Sequence, residues 1–351
     1  MNILVTGGLG FIGSNFLNTY VNKYPEHNFF NLDNLTYASN FENINNIVHN
    51  DNYNFIKADI SIKSHIDKVF NIVAPDWIVH FAAESHVDRS ITRSKAFIDT
   101  NVIGTYNILE AFRNNLSHEK QAFIHISTDE VYGELGELGS FSELSNYSPN
   151  SPYSASKAAS DHLVKAWFKT YNLPTKIINC SNNYGPNQFP EKFIPLIITN
   201  SINGYELPVY GNGKNIRDWL YVNDHCEAIW KVAEAGNIGE TYNVGGGYER
   251  TNNEVINLIL TIMADDHGFD YAKLNALIKF VDDRPGHDYR YSVDSSKINN
   301  ELNWLASTPF DVGIRKTINW YMDNKNWWQN IKNGNYNYKK RDIETLKLYH
   351  E

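Results

Sequence analysis

The chain is poor in the residues that staple small proteins or hold metals. Its 351 residues include two cysteines, Cys180 and Cys226. Two are too few for a disulfide framework or a zinc cluster, and neither has a metal-ligand neighbour at helical or finger spacing. They read as small apolar side chains in a reducing compartment, and no metal site is expected. Positive charge is also short: 31 Lys and Arg against 40 Asp and Glu leave a formal charge of −9. With no basic block, and no basic run interleaved with aromatics, nucleic acid is set aside as a partner. An anionic ligand would have to be held by a few locally placed Arg and Lys residues. Long apolar runs are missing too. None approaches membrane-spanning length, and "MNILVTGG" opens directly in a strand pattern without a signal peptide. A cytoplasmic protein with no membrane partner is the expectation.

What is present is alternation. "NILVT" (2–6), "NFFNL" (28–32), "YNFIKA" (53–58), "DWIVHFA" (76–82), "QAFIHIS" (121–127) and "TKIINC" (175–180) are apolar, strand-like runs. Between them lie helical patterns at 11–24 and 62–73, a long one from Thr92 to about Asn115, and another over 151–171. Strands with little internal alternation, separated by helices, imply a doubly wound α/β domain with a parallel sheet covered on both faces. This domain is expected over 1–180. Residues 181–325 read as a smaller mixed α/β domain, some of whose segments return to pack on the first. The polar, aromatic tail over 326–351 has no assigned place.

"TGGLGFIG" (6–13) lies between the first strand and the first helix, with Gly7, Gly10 and Gly13 at three-residue spacing. Such glycines let the backbone approach a pyrophosphate seated on the helix N-terminus. A Gly-rich turn alone is ordinary turn chemistry, but here a strand precedes it and a helix follows. Asp33 lies 20 residues beyond Gly13 and ends the second strand. An acid there can accept from ribose hydroxyls and repel a 2′-phosphate, which favours NAD over NADP. Asp59, before Ile60, can hold the adenine or simply cap a helix. The domain therefore reads as Rossmann-type.

"YSASK" sets Tyr153 and Lys157 at i and i+4 on one helix face. A phenol titrates near pH ~10, and a neighbouring ammonium together with an oxidised nicotinamide ring would favour its phenolate, making it a base for a substrate alcohol. "HISTDEVYG" (125–133) adds two adjacent carboxylates, Asp129 and Glu130, just past an apolar strand and Thr128.

The glycine turn, the acid after the second strand, the Ser/Thr-bearing strand end and YxxxK together resemble the extended short-chain dehydrogenase/reductase family. Further stretches resemble its nucleotide-sugar 4,6-dehydratases: "DNLTYASN" (33–40), "HFAAESHVDRSI" (80–91), "STDEVYG" (127–133), "SPYSASKAASDHLV" (151–164), "NCSNNYGPNQFPEKFIPL" (179–196), "RDWLYVNDH" (217–225) and "DRPGHDYRY" (283–291). They span nearly the whole chain to about residue 325, in the expected order. Asn34 and Ser39 depart from that pattern, where Lys and Gly are usual.

The resemblance implies dTDP-glucose as substrate, NAD as a cofactor that stays bound, and a homodimer paired through the helix of Tyr153 and the long helix from Thr92. It implies Tyr153 as base at the C4 hydroxyl, with Thr128 on the C4 oxygen and Lys157 beside them. Glu130 would take the C5 proton, while protonated Asp129 would donate to the departing C6 hydroxyl. Two acids are needed because one must start ionised and the other neutral, and their closeness separates their pKa values. The pair argues against a plain 4-epimerase. A dehydratase acting on another nucleotide sugar is the alternative. Around the cofactor the resemblance implies the glycine turn with Phe11 and Ile12, then Asp33, Asn34, Thr36, Asp59, Ile60, Ala82, Ala83, Ser85, Thr100, Tyr153, Lys157 and Asn183. Around the substrate it implies Ser85, Thr128, Asn182, Lys192, Phe193, Pro208, Tyr210, Arg217, Asn252, Arg284 and His287. Arg217 and Arg284 are the natural pyrophosphate clamps in an acidic protein, or else surface ion pairs. His86 and His225 read as structural, and Gly245, Gly246 and Gly247 as a turn.

Overall fold

The computed structural model describes residues 1–334; most of the tail expected over 326–351 lies outside them. The first half alternates as the sequence pattern predicts: β1 (Asn2–Thr6), α1 (Phe11–Lys23), β2 (Asn28–Asp33), β3 (Tyr53–Lys57), α2 (Lys63–Val73) and β4 (Trp77–His80). The stretch expected as one long helix from Thr92 is instead broken. It runs α3 (Val87–Thr92), α4 (Ser94–Phe97), a π-helical segment Ile98–Gly104, and α5 (Thr105–Asn114). Arg93, at φ −137° and ψ 46°, leaves helical geometry between α3 and α4. Then follow β5 (Ala122–Thr128), α6 (Pro152–Tyr171), β6 (Thr175–Cys180), β7 (Asn182–Tyr184), α7 (Phe193–Asn203), β8 (Leu207–Tyr210) and β9 (Ile216–Tyr221). The remainder is α8 (Val222–Ala235), β10 (Thr241–Val244), β11 (Glu249–Thr251), α9 (Asn252–His267), α10 (Tyr271–Asn275) and β12 (Ile278–Val281). Three helices end the described residues: α11 (Ser296–Leu302), α12 (Phe310–Asp323) and α13 (Lys325–Lys332).

Seven parallel strands form the main sheet in the order β10-β6-β5-β4-β1-β2-β3. The winding direction reverses between β1 and β4, and a ligand cleft opens outside the carboxyl ends of the strands at such a point. β4, β5 and β6 are buried along their whole length, since helices cover both faces. One face packs on α1 and α8, where Tyr20 stacks on Trp230 at 4.3 Å between ring centroids. The other packs on α2, α5 and α6 through Phe70, Phe112 and Phe123. Thus α8 and β10, both from beyond residue 180, complete the first layer structure.

The remaining strands make a three-stranded sheet, β11-β9-β7, and a parallel pair, β12-β8. These pack with α7, α9 and α12 around a second apolar cluster that includes Ile197, Trp219, Ile259 and Tyr321. Trp327 and Trp328 of α13 are buried there, and Trp327 Nε1 donates to Asn43 Oδ1 at 2.9 Å, tying the helix back to the first layer structure. The start of the tail thus has a place. Among the described residues no helix is long and apolar enough to cross a membrane.

Candidate active site

One cleft runs along the carboxyl ends of β1, β2, β4, β5 and β6. At one end the turn from β1 into α1 forms its floor. Gly7 has φ +73°, and a Cβ there would lie 2.8 Å from the Ala82 backbone. A Cβ on Gly13 would lie 2.5 Å from the Gly7 carbonyl oxygen. Only glycine lets the turn close this tightly. No side chain caps α1 at Gly10, so its first N–H groups remain for an anion, a cradle that fits a pyrophosphate.

Asp33 ends β2 and is buried. Its Oδ2 accepts from Leu9 N at 3.1 Å, and its Oδ1 from Leu35 N at 2.9 Å and Ser39 Oγ at 2.6 Å. A carboxylate offers about four lone-pair sites, so the chain itself occupies most of them and leaves about one for a ribose hydroxyl. Ser39, one of the two departures from the family pattern, is thereby built into the ribose end. Asn34, the other, donates to Asp59 Oδ2 at 2.7 Å. Asp59 Oδ1 accepts from Ser61 N and Oγ ahead of α2. Asp59 does not cap α2, which starts after Ile62 with no side-chain cap; it closes the turn ahead of that helix and lines the cleft.

At the other end, Ser151 caps α6 through a reciprocal capping box, with Pro152 at the first helical position. One turn of that helix presents Tyr153 and Lys157 to the cleft. Lys157 is buried and donates to Ile126 O at 2.8 Å, which fixes it against β5. Burial first, then the nearby Glu130 charge, holds the Tyr153 phenol well above its usual value, while its hydrogen bond with Thr128 opposes this. The Lys157 ammonium expected to favour a phenolate is not among the groups that set this shift; an oxidised nicotinamide ring, when bound, would add a cation that favours it.

β5 delivers Thr128, Asp129 and Glu130 at its carboxyl end. Thr128 Oγ1 accepts from Glu130 N at 3.3 Å and donates to Asp129 Oδ1 at 3.2 Å. The two acids sit in opposite electrostatic surroundings. Burial, then the charges of Glu130 and Asp218, push Asp129 well above the ordinary carboxylate range. Burial raises Glu130 as well, and Arg284, Arg217 and Lys192 offset part of that rise. Asp129 is thus the acid of the pair that holds its proton more strongly, and Glu130 the one that ionises more readily.

Every residue expected around the cofactor lines this cleft, as do Ser85, Thr128, Asn182 and Lys192 from the substrate set. The rest of that set lies beyond the lining. Arg284 Nη1 pairs with Asp88 Oδ1 at 3.1 Å, and Tyr210 OH donates to Asp88 Oδ2 at 3.3 Å. His287 Nδ1 meets Asp283 Oδ1 at 2.6 Å. Arg217 is buried, donating to the carbonyls of Ile216, Asp288 and Tyr289. Phe193 opens α7, Pro208 lies in β8 and Asn252 opens α9, all on elements around the second apolar cluster. His225 is buried against Asn183 and reads as structural. The Gly245–Gly247 stretch is a turn held by Asp218 Oδ2 accepting from Gly246 N.

In and behind the cleft are residues that sequence reasoning missed. Tyr37, Glu84, Phe189 and Glu191 line it. Asn101, in the π-helical segment, accepts from Glu84 N at 2.8 Å and donates to Glu84 O at 3.0 Å and Ser156 Oγ at 2.8 Å, steadying α6 behind Tyr153. Asp161, fully buried one turn past Lys157, accepts from Ser127 and Tyr147. Its i+8 spacing from Tyr153 was the one available signal.

Residues 4–317 match the family model described as GDP-mannose 4,6 dehydratase. The dTDP-glucose 4,6-dehydratase of Neisseria meningitidis serogroup B is 50% identical over 344 residues, covering 95% of this chain and 97% of that protein. The crystal structure of dTDP-glucose 4,6-dehydratase from Bacillus anthracis in complex with NAD superposes with a TM-score of 0.86 at 44% identity, covering 94% of this chain and 99% of that one. DesIV, the dTDP-glucose 4,6-dehydratase of Streptomyces venezuelae with NAD and TYD bound, gives 0.87 at 42% identity, covering 94% and 100%. Motifs, cleft and relatives agree from one end of the described chain to the other, and the chain belongs to the GDP-mannose 4,6 dehydratase family and, within it, to the dTDP-glucose 4,6-dehydratases.

Proposed function

We propose that the protein is an NAD-dependent hydro-lyase converting dTDP-glucose to dTDP-4-keto-6-deoxy-glucose. The observation that carries this reading is the acid pair at the end of β5, one member buried and raised well above the ordinary carboxylate range and the other beside three cations, on the same cleft as Tyr153. A plain oxidoreductase or epimerase of this fold needs only the Ser/Thr and the Tyr–Lys pair.

When bound, NAD supplies the redox chemistry, taking hydride from C4 of the sugar and returning it at C6. The rest falls to the chain. Tyr153 accepts the C4 hydroxyl proton, with Thr128 hydrogen-bonding the same oxygen. Once C4 is a ketone, the C5 proton becomes acidic and Glu130 removes it. Asp129, held protonated, donates to the C6 hydroxyl, which leaves as water. Glu130 then returns a proton to C5. The glycine turn and α1 bind the pyrophosphate of the cofactor, and Asp33 its ribose. Lys192, Arg217 and Arg284 gather positive charge near Glu130 and towards the substrate pyrophosphate.

Incubation with dTDP-glucose and no added NAD should yield the 4-keto-6-deoxy sugar without net NADH. Glu130→Gln and Asp129→Asn should each lower kcat by roughly 10²- to 10⁴-fold. No product, with or without supplied NAD, would move the reading to another nucleotide sugar.

A homodimer belongs to the same reading. Ile98, Ile103, Tyr106 and Tyr171 are each at least 40% exposed along the π-helical segment, α5 and α6, an apolar face that a second copy would cover. The buried free thiols of Cys180 and Cys226 fit work in the cytoplasm.

A further inference from the structure

Three segments meet at the rim of the cofactor half of the cleft and hold one another there. Residues 34–40, after β2, carry Tyr37; residues 185–192, after β7, carry Phe189 and Glu191; α3 carries Arg89. The Arg89 guanidinium lies 3.6 Å above the Tyr37 ring centroid. The Phe189 ring meets that ring edge-on, at 5.6 Å and 88°. Arg89 Nη2 donates to Glu191 Oε2 at 2.9 Å, and His86 Nε2 stands 3.5 Å from Glu191 Oε1. The contacts close a ring from Tyr37 to Arg89, to Glu191 and Phe189 on one loop, and back to Tyr37. Tyr37, Phe189 and Glu191 line the same cleft as Gly7, Asp33 and Thr100. None of the four has a part in the proton transfers.

We propose that Tyr37, Arg89, Phe189 and Glu191 form a clasp that retains the nicotinamide cofactor through each turnover. The inference rests on the reading of NAD as resident cofactor. The chemistry requires that the cofactor stay bound: dissociation between oxidation at C4 and reduction at C6 would strand a keto sugar and an enzyme unable to finish. The clasp residues position and retain, and touch no reacting atom. The Arg89 side chain is 39% exposed, so solvent and ions reach the clasp. Its two charged contacts bridge separate segments, so added salt should loosen it.

The test needs no sugar. The purified protein is loaded with NADH, and the release rate is followed by the fall in bound-NADH fluorescence on dilution into excess NAD. NAD content is measured before and after dialysis. Arg89→Met, which keeps the stem and removes the cation, and Tyr37→Ala should each release NADH about tenfold faster or more and lose their NAD on dialysis. Salt should accelerate release from the unmodified protein more than from Arg89→Met. Glu191→Gln, which keeps size and shape, serves as a third variant should Tyr37→Ala fail to fold. Release rates within about twofold of the unmodified protein in the folded variants would overturn the clasp. Failure of the unmodified protein to bind NADH at all would instead overturn the cofactor reading.

Discussion

Asp129 sits where a carboxylate is least comfortable: buried, with Oδ2 lacking a hydrogen-bond partner and Glu130 next to it. Its folded pKa is raised, so its contribution to stability is complete below the unfolded value, near pH ~4, and is lost as pH rises through the folded one. At pH 8 the native state therefore bears a penalty that an amide would not. Asp129→Asn should stabilise the protein at pH 8 by about 1 kcal/mol, roughly 2 °C in Tm, with a smaller gain at pH 5, while slowing the dehydration. A variant no more stable at pH 8 than the unmodified protein would mean that Asp129 is satisfied in the folded state. The two acids are legible in the sequence as neighbours, and so are Tyr153 and Lys157. What separates the acids is not, because Arg217, Arg284 and Lys192 reach Glu130 from distant parts of the chain and only folding brings them there.

From Thr92 to about Asn115 the apolar spacing reads as one helix, yet the chain turns out of helical geometry at Arg93 and then widens into the π-helical segment. Such a widening inserts about one residue into a helix and leaves the surrounding period nearly intact, so periodicity cannot reveal it. Its effect is local and specific. Asn101 faces Glu84 and Ser156, and Ser156 Oγ in turn donates to Tyr153 O at 2.7 Å. Asn101→Ala would leave the Glu84 N–H and C=O without their partner and should cost about 1–3 kcal/mol in urea unfolding. Ser156→Ala, which removes one hydrogen-bonding hydroxyl, should cost less. Equal stability of Asn101→Ala and the unmodified protein would show that Asn101 does not brace α6.

Three histidines, His80, His125 and His225, are buried across the protein, and burial holds each below the usual value: His80 well below it, His125 down to about 4 and His225 to about 3. They fold neutral. Their contribution is present above the unfolded value of 6.5 and is lost as pH falls through the folded ones. Tm should decline steadily from pH 6.5 towards pH 4, as differential scanning calorimetry would record; a flat Tm over that range would mean the histidines are already charged in the native state. At this scale the sequence yields the doubly wound sheet, because strand and helix runs alternate plainly. The weaving of later elements into it is hidden, since pattern reading follows chain order and not sheet edges. β10, from residues 241–244, pairs with β6 and closes one side of the seven-stranded sheet. During synthesis, then, the outer edge of β6 stays bare until the ribosome has released residue 244. A row of unpaired backbone groups on a nascent chain is a template for its neighbours on the same messenger. The yield of this enzyme in a crowded translation system is therefore set in part by how quickly the ribosome covers the span between β6 and β10.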